Sequence, residues 1–191
     1  MQDQKQAESN LLKGLIAGLA GGMVASVVMN QFQSAWQNAV EKKQKSHGAQ
    51  SMQEGSPDHG AGRILQDRGV ESGNDDATER LASVISETVF EHTLTEDEKK
   101  IAGTAFHYAY GLSMGGVYGA TVEVLPQAAA GYGLAYGALI WLTADEGVLP
   151  LLGLSKSPVE YPLSTHAYAL TSHFVYGLTA EIVRRAVRAA I

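Results

Sequence analysis

Val117-Tyr118-Gly119-Ala120-Thr121-Val122-Glu123 returns later in the chain as Val175-Tyr176-Gly177-Leu178-Thr179-Ala180-Glu181, so Val-Tyr-Gly-x-Thr-x-Glu occurs twice. Each copy closes a long uncharged run. Each also has histidine upstream, His107 before the first and His166 and His173 before the second. Two helices built on one pattern are the simplest reading. Working outward, Asp, Glu, Lys and Arg are missing for 27 residues after Lys13, 22 after Lys100, 21 after Glu123 and 20 after Glu160. A helix of about 20 mostly apolar residues crosses a bilayer core, so four such gaps predict four spans. The fold class expected is all-α: a polytopic membrane protein with four transmembrane helices and a short amphipathic surface helix.

The spans follow from these gaps in chain order. Residues 1–10 are a polar tail, and 11–32 are transmembrane helix 1, retained rather than cleaved because no small-residue cleavage site follows. Gly14, Gly18 and Gly22 recur every four residues there, which lets another helix approach closely. Residues 33–75 form a flexible polar loop too poor in large apolar groups to offset its ordering entropy, and His47 and His59 in it read as solvated. Residues 76–93 are the surface helix, opened by Asp76 with Glu79 in a capping-box pairing. Its Leu81, Val84, Ile85 and Val89 share one face, with Arg80, Glu87 and Glu91 off it. Thr95 and Glu98 open transmembrane helix 2, residues 95–124, and a short turn at Pro126 leads into helix 3, residues 128–146. An interfacial loop, 147–163, precedes transmembrane helix 4, residues 164–188.

Composition removes several functions. No cysteine is present, which excludes disulfides, iron–sulfur clusters and thiolate zinc sites. The net charge of -6 argues against a nucleic-acid partner. Lys5, Lys13, Arg184, Arg185 and Arg188 would share one side of a four-span bundle, which points to both termini in the cytoplasm and a multi-pass inner-membrane location.

Five of the eight tyrosines precede a glycine, a ring beside a notch that suits close helix packing. His107, Gly111, Met114, Tyr118 and Thr121 keep the 4, 3, 4, 3 spacing of one helix face, and His166, Leu170, His173, Gly177 and Ala180 do the same. Polar groups in lipid turn inward, so His107, His166 and His173 are expected to share a polar interior with Tyr118 and Tyr176, the candidate cofactor-binding residues. No catalytic or metal-ligating motif accompanies them, so the chain reads as a non-enzyme. The leading role is a structural or accessory membrane component, with no cofactor, whose partners are the lipid bilayer and either further copies of itself or other membrane-protein subunits. The runner-up is a small transporter or proton-conducting protein using the His/Tyr interior, the histidines acting with Tyr118, Tyr176, Asp145 and Glu146. The third reading is a b-type haem protein using paired histidines.

Ala120-Thr121-Val122-Glu123-Val124-Leu125-Pro126, then Gly153-Leu154 with Pro158 and Pro162, then Ser172-His173 and Ala180-Glu181-Ile182-Val183-Arg184-Arg185, resemble the YagU-like family of bacterial inner-membrane proteins of unknown function. The resemblance covers residues 112–188. It implies an integral inner-membrane protein of several helices and supplies no substrate, cofactor or catalytic residue.

Overall fold

The structure, a computed structural model, describes residues 2–41 and 75–191, and every regular element in them is helical. The elements of nine residues or more are α1 (Gln2–Glu41), α2 (Ala77–Ile85), α3 (Glu96–Val124), α4 (Leu134–Thr143) and α5 (Leu163–Ala190). The expected loop from 42 to 74, with His47 and His59, lies outside the described residues. The all-α reading therefore holds for the described chain, while the four spans do not. Among the described residues only α1, over Gln4–Ala39, is long and apolar enough to cross a membrane.

The reason is chemical: a gap in charge is not a run of apolarity. The gaps at 101–122 and 161–180 are filled with Gly, Tyr, His, Ser and Thr, which carry little transfer energy. In the gap at 124–144 the helix begins only at Leu134, and it continues into a π turn that carries Asp145 and Glu146. The helices that fail the test also bury paired charges: Glu181 against Arg184, and Lys99 against Asp75. The expectations that rested on four spans are thereby corrected: the multi-pass inner-membrane location with cytoplasmic termini, the lipid bilayer as partner, the integral-membrane accessory role, and the transmembrane transporter or proton conductor.

The chain divides into two compact units. The first comprises Met1–Ala39, Tyr108–Ile140 and Ala169–Ile191. Its organising feature is backbone-to-backbone approach. A Cβ on Gly14, Gly18 or Gly22 of α1 would overlap the carbonyl of Gly119, Gly115 or Gly111 of α3 respectively. Four residues up α1 are four residues down α3, so the two helices run antiparallel in fixed register. The same test pairs Gly133 with Gly177 and Gly137 with the His173 carbonyl, which sets α5 antiparallel to the segment entering α4. Gly21 of α1 meets the Ala180 carbonyl of α5. Among these are the glycines of the α1 stripe and of all five Tyr-Gly steps. Before α4 the chain turns through Gly131, Tyr132 and Gly133 with φ of 71°, 55° and 82°, and the Leu134 amide donates to the Gly131 carbonyl across the turn. Three successive residues in the left-handed region require glycine at most positions.

The second unit comprises Val40–His107 and Trp141–Tyr168. Asp76 caps α2, its carboxylate accepting from the Thr78 and Glu79 amides while Glu79 accepts from the Asp76 amide, the reciprocal pairing expected from sequence. The helix buries a different face from the apolar one. Arg80, Ala82 and Ser83 are buried, as are Ser86 and Glu87 in the π-helical turn Ser86–Phe90, whereas Val89 is 65% exposed. Two causes act together: Arg80 finds a buried acceptor, the Leu154 carbonyl at 3.0 Å, and the extra residue per turn of a π-helix rotates everything after Ile85 away from α-helical phase.

Candidate functional site

A second π-helical turn, Ala144–Val148, carries Glu146. Single π turns are often found at functional positions because they re-aim one side chain, and here the carboxylate is aimed at His166. Glu146 Oε1 lies 2.6 Å from His166 Nδ1, and the Pro158 carbonyl lies 3.0 Å from His166 Nε2. The carbonyl is supplied by the 3-10 turn Pro158–Glu160, held by a capping box between Ser157 and Glu160. Tyr161 stands edge-on to the imidazole and accepts from the Lys156 amide.

The protons follow from the acceptors. A carbonyl only accepts, so Nε2 carries hydrogen, and one further proton is shared between Nδ1 and Glu146. Both ring nitrogens are engaged within the unit, leaving neither a lone pair for a metal nor a free base for a substrate. The arrangement fastens three segments: the π turn, the 3-10 turn and the start of α5. In the same unit, Lys99 joins Asp75 at 3.1 Å and Glu96 at 2.9 Å. Burial holds the Arg80 guanidinium below its ordinary pKa, with Asp75 and Tyr161 working in the opposite sense.

The first unit has its own polar cluster on α5. Glu181 is fully buried and accepts from Arg184 Nε at 2.7 Å, from the Arg184 terminal nitrogen at 3.0 Å, and from Arg185 Nε. Burial opposes its charge, and hydrogen bonds from Arg184 and Arg185, with the Tyr118 hydroxyl beside it, outweigh burial, so its pKa stays below the ordinary glutamate value. Burial first, and the Glu181 carboxylate second, push the Tyr118 hydroxyl up. Tyr118 stacks on Tyr136 with ring centres 4.5 Å apart, and burial pushes Tyr136 up to about 12. Arg184 lies over the Tyr118 ring and Arg185 over the Tyr132 ring, at 6.0 and 4.7 Å. One guanidinium, Arg188, joins Glu123 of α3 at 2.7 Å and Asn10 of α1 at 3.2 Å. The glutamates that end the two Val-Tyr-Gly-x-Thr-x-Glu copies are thus both arginine acceptors of α5.

The sequence-predicted site residues are distributed between the units. His107, half-buried on α3, and His166 belong to the second. His173, Tyr118 and Tyr176 belong to the first, where each is engaged separately: His173 Nδ1 with the Ala169 carbonyl at 2.8 Å, Tyr176 donating to the Gly111 carbonyl, and Tyr118 beside Glu181. The haem reading is corrected on this chemistry. His166 has no ring nitrogen left for iron, and among the described residues no three His, Asp or Glu side chains gather as ligands. Sequence reasoning grouped Glu146 with the histidines only as part of a proton route and did not single out its pairing with His166, 20 residues away with no shared periodicity.

Residues 74–182, more than half of the chain, match the family model described as a protein of unknown function, DUF1440. No curated protein and no solved structure matches.

Proposed function

The chain belongs to the DUF1440 family, and within it we propose a non-enzymatic role: a helical module that acts by packing against another protein. One observation carries this reading. The exposed residues of α1 from Leu15 to Val28 are all apolar, and Leu12, Ile16, Met23 and Val27 are 57%, 47%, 43% and 43% exposed. A continuous apolar surface beyond a few hundred Å² marks an interaction site in a folded protein. The polar clusters support the same role from the other direction. The ring nitrogens of His166 and the carboxylate oxygens of Glu181 are spent on bonds within their own units, which suits fastening better than turnover. The YagU-like resemblance fits the same membership, since Ala120–Pro126, Gly153-Leu154 and Ser172-His173 fall inside the matched residues.

The test is the size of the purified full chain in solution, by light scattering with an apolar dye as reporter. The expected result is an assembly larger than one chain that binds little dye. A stable monomer that binds dye no more strongly than an ordinary folded protein overturns the proposal, because its apolar face would then need no partner.

A further inference from the structure

His166 stands between two acceptors and satisfies both only while it is charged. Its Nε2 faces the Pro158 carbonyl at 3.0 Å, and its Nδ1 faces Glu146 at 2.6 Å. Neither oxygen brings a hydrogen of its own while Glu146 is ionised, so both hydrogens must come from the ring, and a neutral imidazole has one. The side chains of His166 and Glu146 are 19% and 12% exposed. Water therefore reaches the pair well enough to carry a proton away and too poorly to replace a lost bond. Histidine is also the side chain type that exchanges its charge in the neutral range.

We propose that His166 is a proton-operated switch within the second unit: charged, it ties the π turn Ala144–Val148 to the 3-10 turn Pro158–Glu160, and neutral, it keeps Glu146 and releases the Pro158 carbonyl. The order of release follows from the acceptors. A hydrogen bond to a carboxylate is about twice as strong as one to a neutral carbonyl, so the one remaining hydrogen settles on Nδ1 and leaves Nε2 with a bare lone pair against an oxygen. The Pro158 carbonyl then keeps only the Tyr161 amide, at 3.3 Å, and its turn loses the tie to α5. The neighbouring elements supply the electrostatic surroundings. Tyr161 lies edge-on to the imidazole with its hydroxyl accepting from the Lys156 amide, and Glu160 is turned onto the Ser157 amide. Arg80 of α2 is within electrostatic reach of Tyr161 and donates to the Leu154 carbonyl. Asp145 adjoins Glu146 on the π turn, and α5 carries no Asp, Glu, Lys or Arg before Glu181. The closed clasp holds one proton that the open form lacks, so its stabilisation is present at low pH and is lost as pH rises and that proton leaves. The inference is independent of the packing role proposed above.

Glu146→Gln tests the switch, because a side-chain amide donates to a bare Nδ1 and so holds the neutral ring with Nε2 still on Pro158. The full chain is isotope-labelled in its histidine rings and followed by nitrogen NMR, the His166 signals being assigned by their loss in His166→Gln. Raising the pH is expected to take the wild-type ring from two protonated nitrogens to one protonated at Nδ1 alone. Protection of the Glu160 and Tyr161 amides, corrected for base catalysis of exchange, is expected to fall several-fold in step with it. In Glu146→Gln the neutral ring is expected to be protonated at Nε2, with those two amides protected equally at both ends of the pH range. A wild-type neutral ring protonated at Nε2 overturns the switch, as does amide protection that stays constant while the ring loses its proton. The same pH response in Glu146→Gln as in the wild type also overturns it, since the dependence then belongs to another group. A ring that never holds both protons in the folded chain, or keeps both until circular dichroism shows unfolding, overturns it as well.

Discussion

At the scale of single residues the most informative is Glu181, because its charge is kept without any contact with water. A carboxylate in that position is stable only while its donors stay, and Arg184 is itself 7% exposed. Glu181→Gln leaves that guanidinium buried without its counter-charge, which costs about 3 kcal/mol of stability near neutral pH. The pH dependence has a definite sign. The pKa of Glu181 is lower folded than unfolded, so its stabilisation is complete above the ordinary glutamate value and is lost as pH falls through the lowered folded value. Urea unfolding at a series of acid pH values is expected to show the wild-type advantage over Glu181→Gln shrinking as pH drops. An advantage of constant size across that range would mean the charge is not what the site stabilises. The partners of Glu181 were legible in the sequence, since Arg184 and Arg185 stand three and four residues on. Its depth was not, because helical spacing says which side chains are neighbours and nothing of what covers them.

Single elements respond to backbone geometry more than to side-chain type. Gly18→Ala is expected to cost about 2 kcal/mol or more in thermal or urea unfolding, since the new methyl meets the Gly115 carbonyl, which cannot rotate away. Gly147→Ala, by contrast, is expected to be neutral or stabilising by up to about 1 kcal/mol, because its Cβ would reach only an ordinary contact with the Leu142 carbonyl. The π turn Ala144–Val148 makes a different prediction. It is tied down by Glu146 on His166, so His166→Ala should cost about 1–3 kcal/mol, with faster amide exchange concentrated at residues 144–148. Exchange spread evenly over the second unit would show that the pair supports the unit and not the turn. The glycine stripe of α1 was readable as a period of four in the sequence. The π turns were not, because an inserted residue leaves no periodic trace, and with the phase shift at Ser86 went the expectation that Val89 would share a face with Leu81, Val84 and Ile85.

For the molecule as a whole, the governing quantity is apolar surface left uncovered. If the purified chain assembles through α1, association is linked to folding, and the melting temperature is expected to rise with protein concentration. Calorimetry over a hundredfold range checks this, and a midpoint that does not move opposes association. The same surface explains why the expectation of four spans fails. Missing charge is what it rests on, and α1, α3 and α5 all contain such gaps. Only α1 fills its gap with Leu, Ile, Val, Met and Ala densely enough to pass as a span. The helical class survives that error because the capping boxes and helical spacings do not depend on the surrounding medium.

The turn through Gly131, Tyr132 and Gly133 is, in its torsions, a piece of mirror-image protein. Positive φ is the natural habit of a D-amino acid, and the Cβ of an L-residue at Gly131 would touch nothing, so the cost of an L side chain there is torsional alone. A semisynthetic chain with D-alanine at that position is expected to fold and to gain about 0.4–1 kcal/mol by narrowing the unfolded ensemble. L-alanine there is expected to lose stability. Two residues of identical composition and opposite chirality would then act in opposite directions at one site, a comparison that separates torsional preference from every contact the side chain makes.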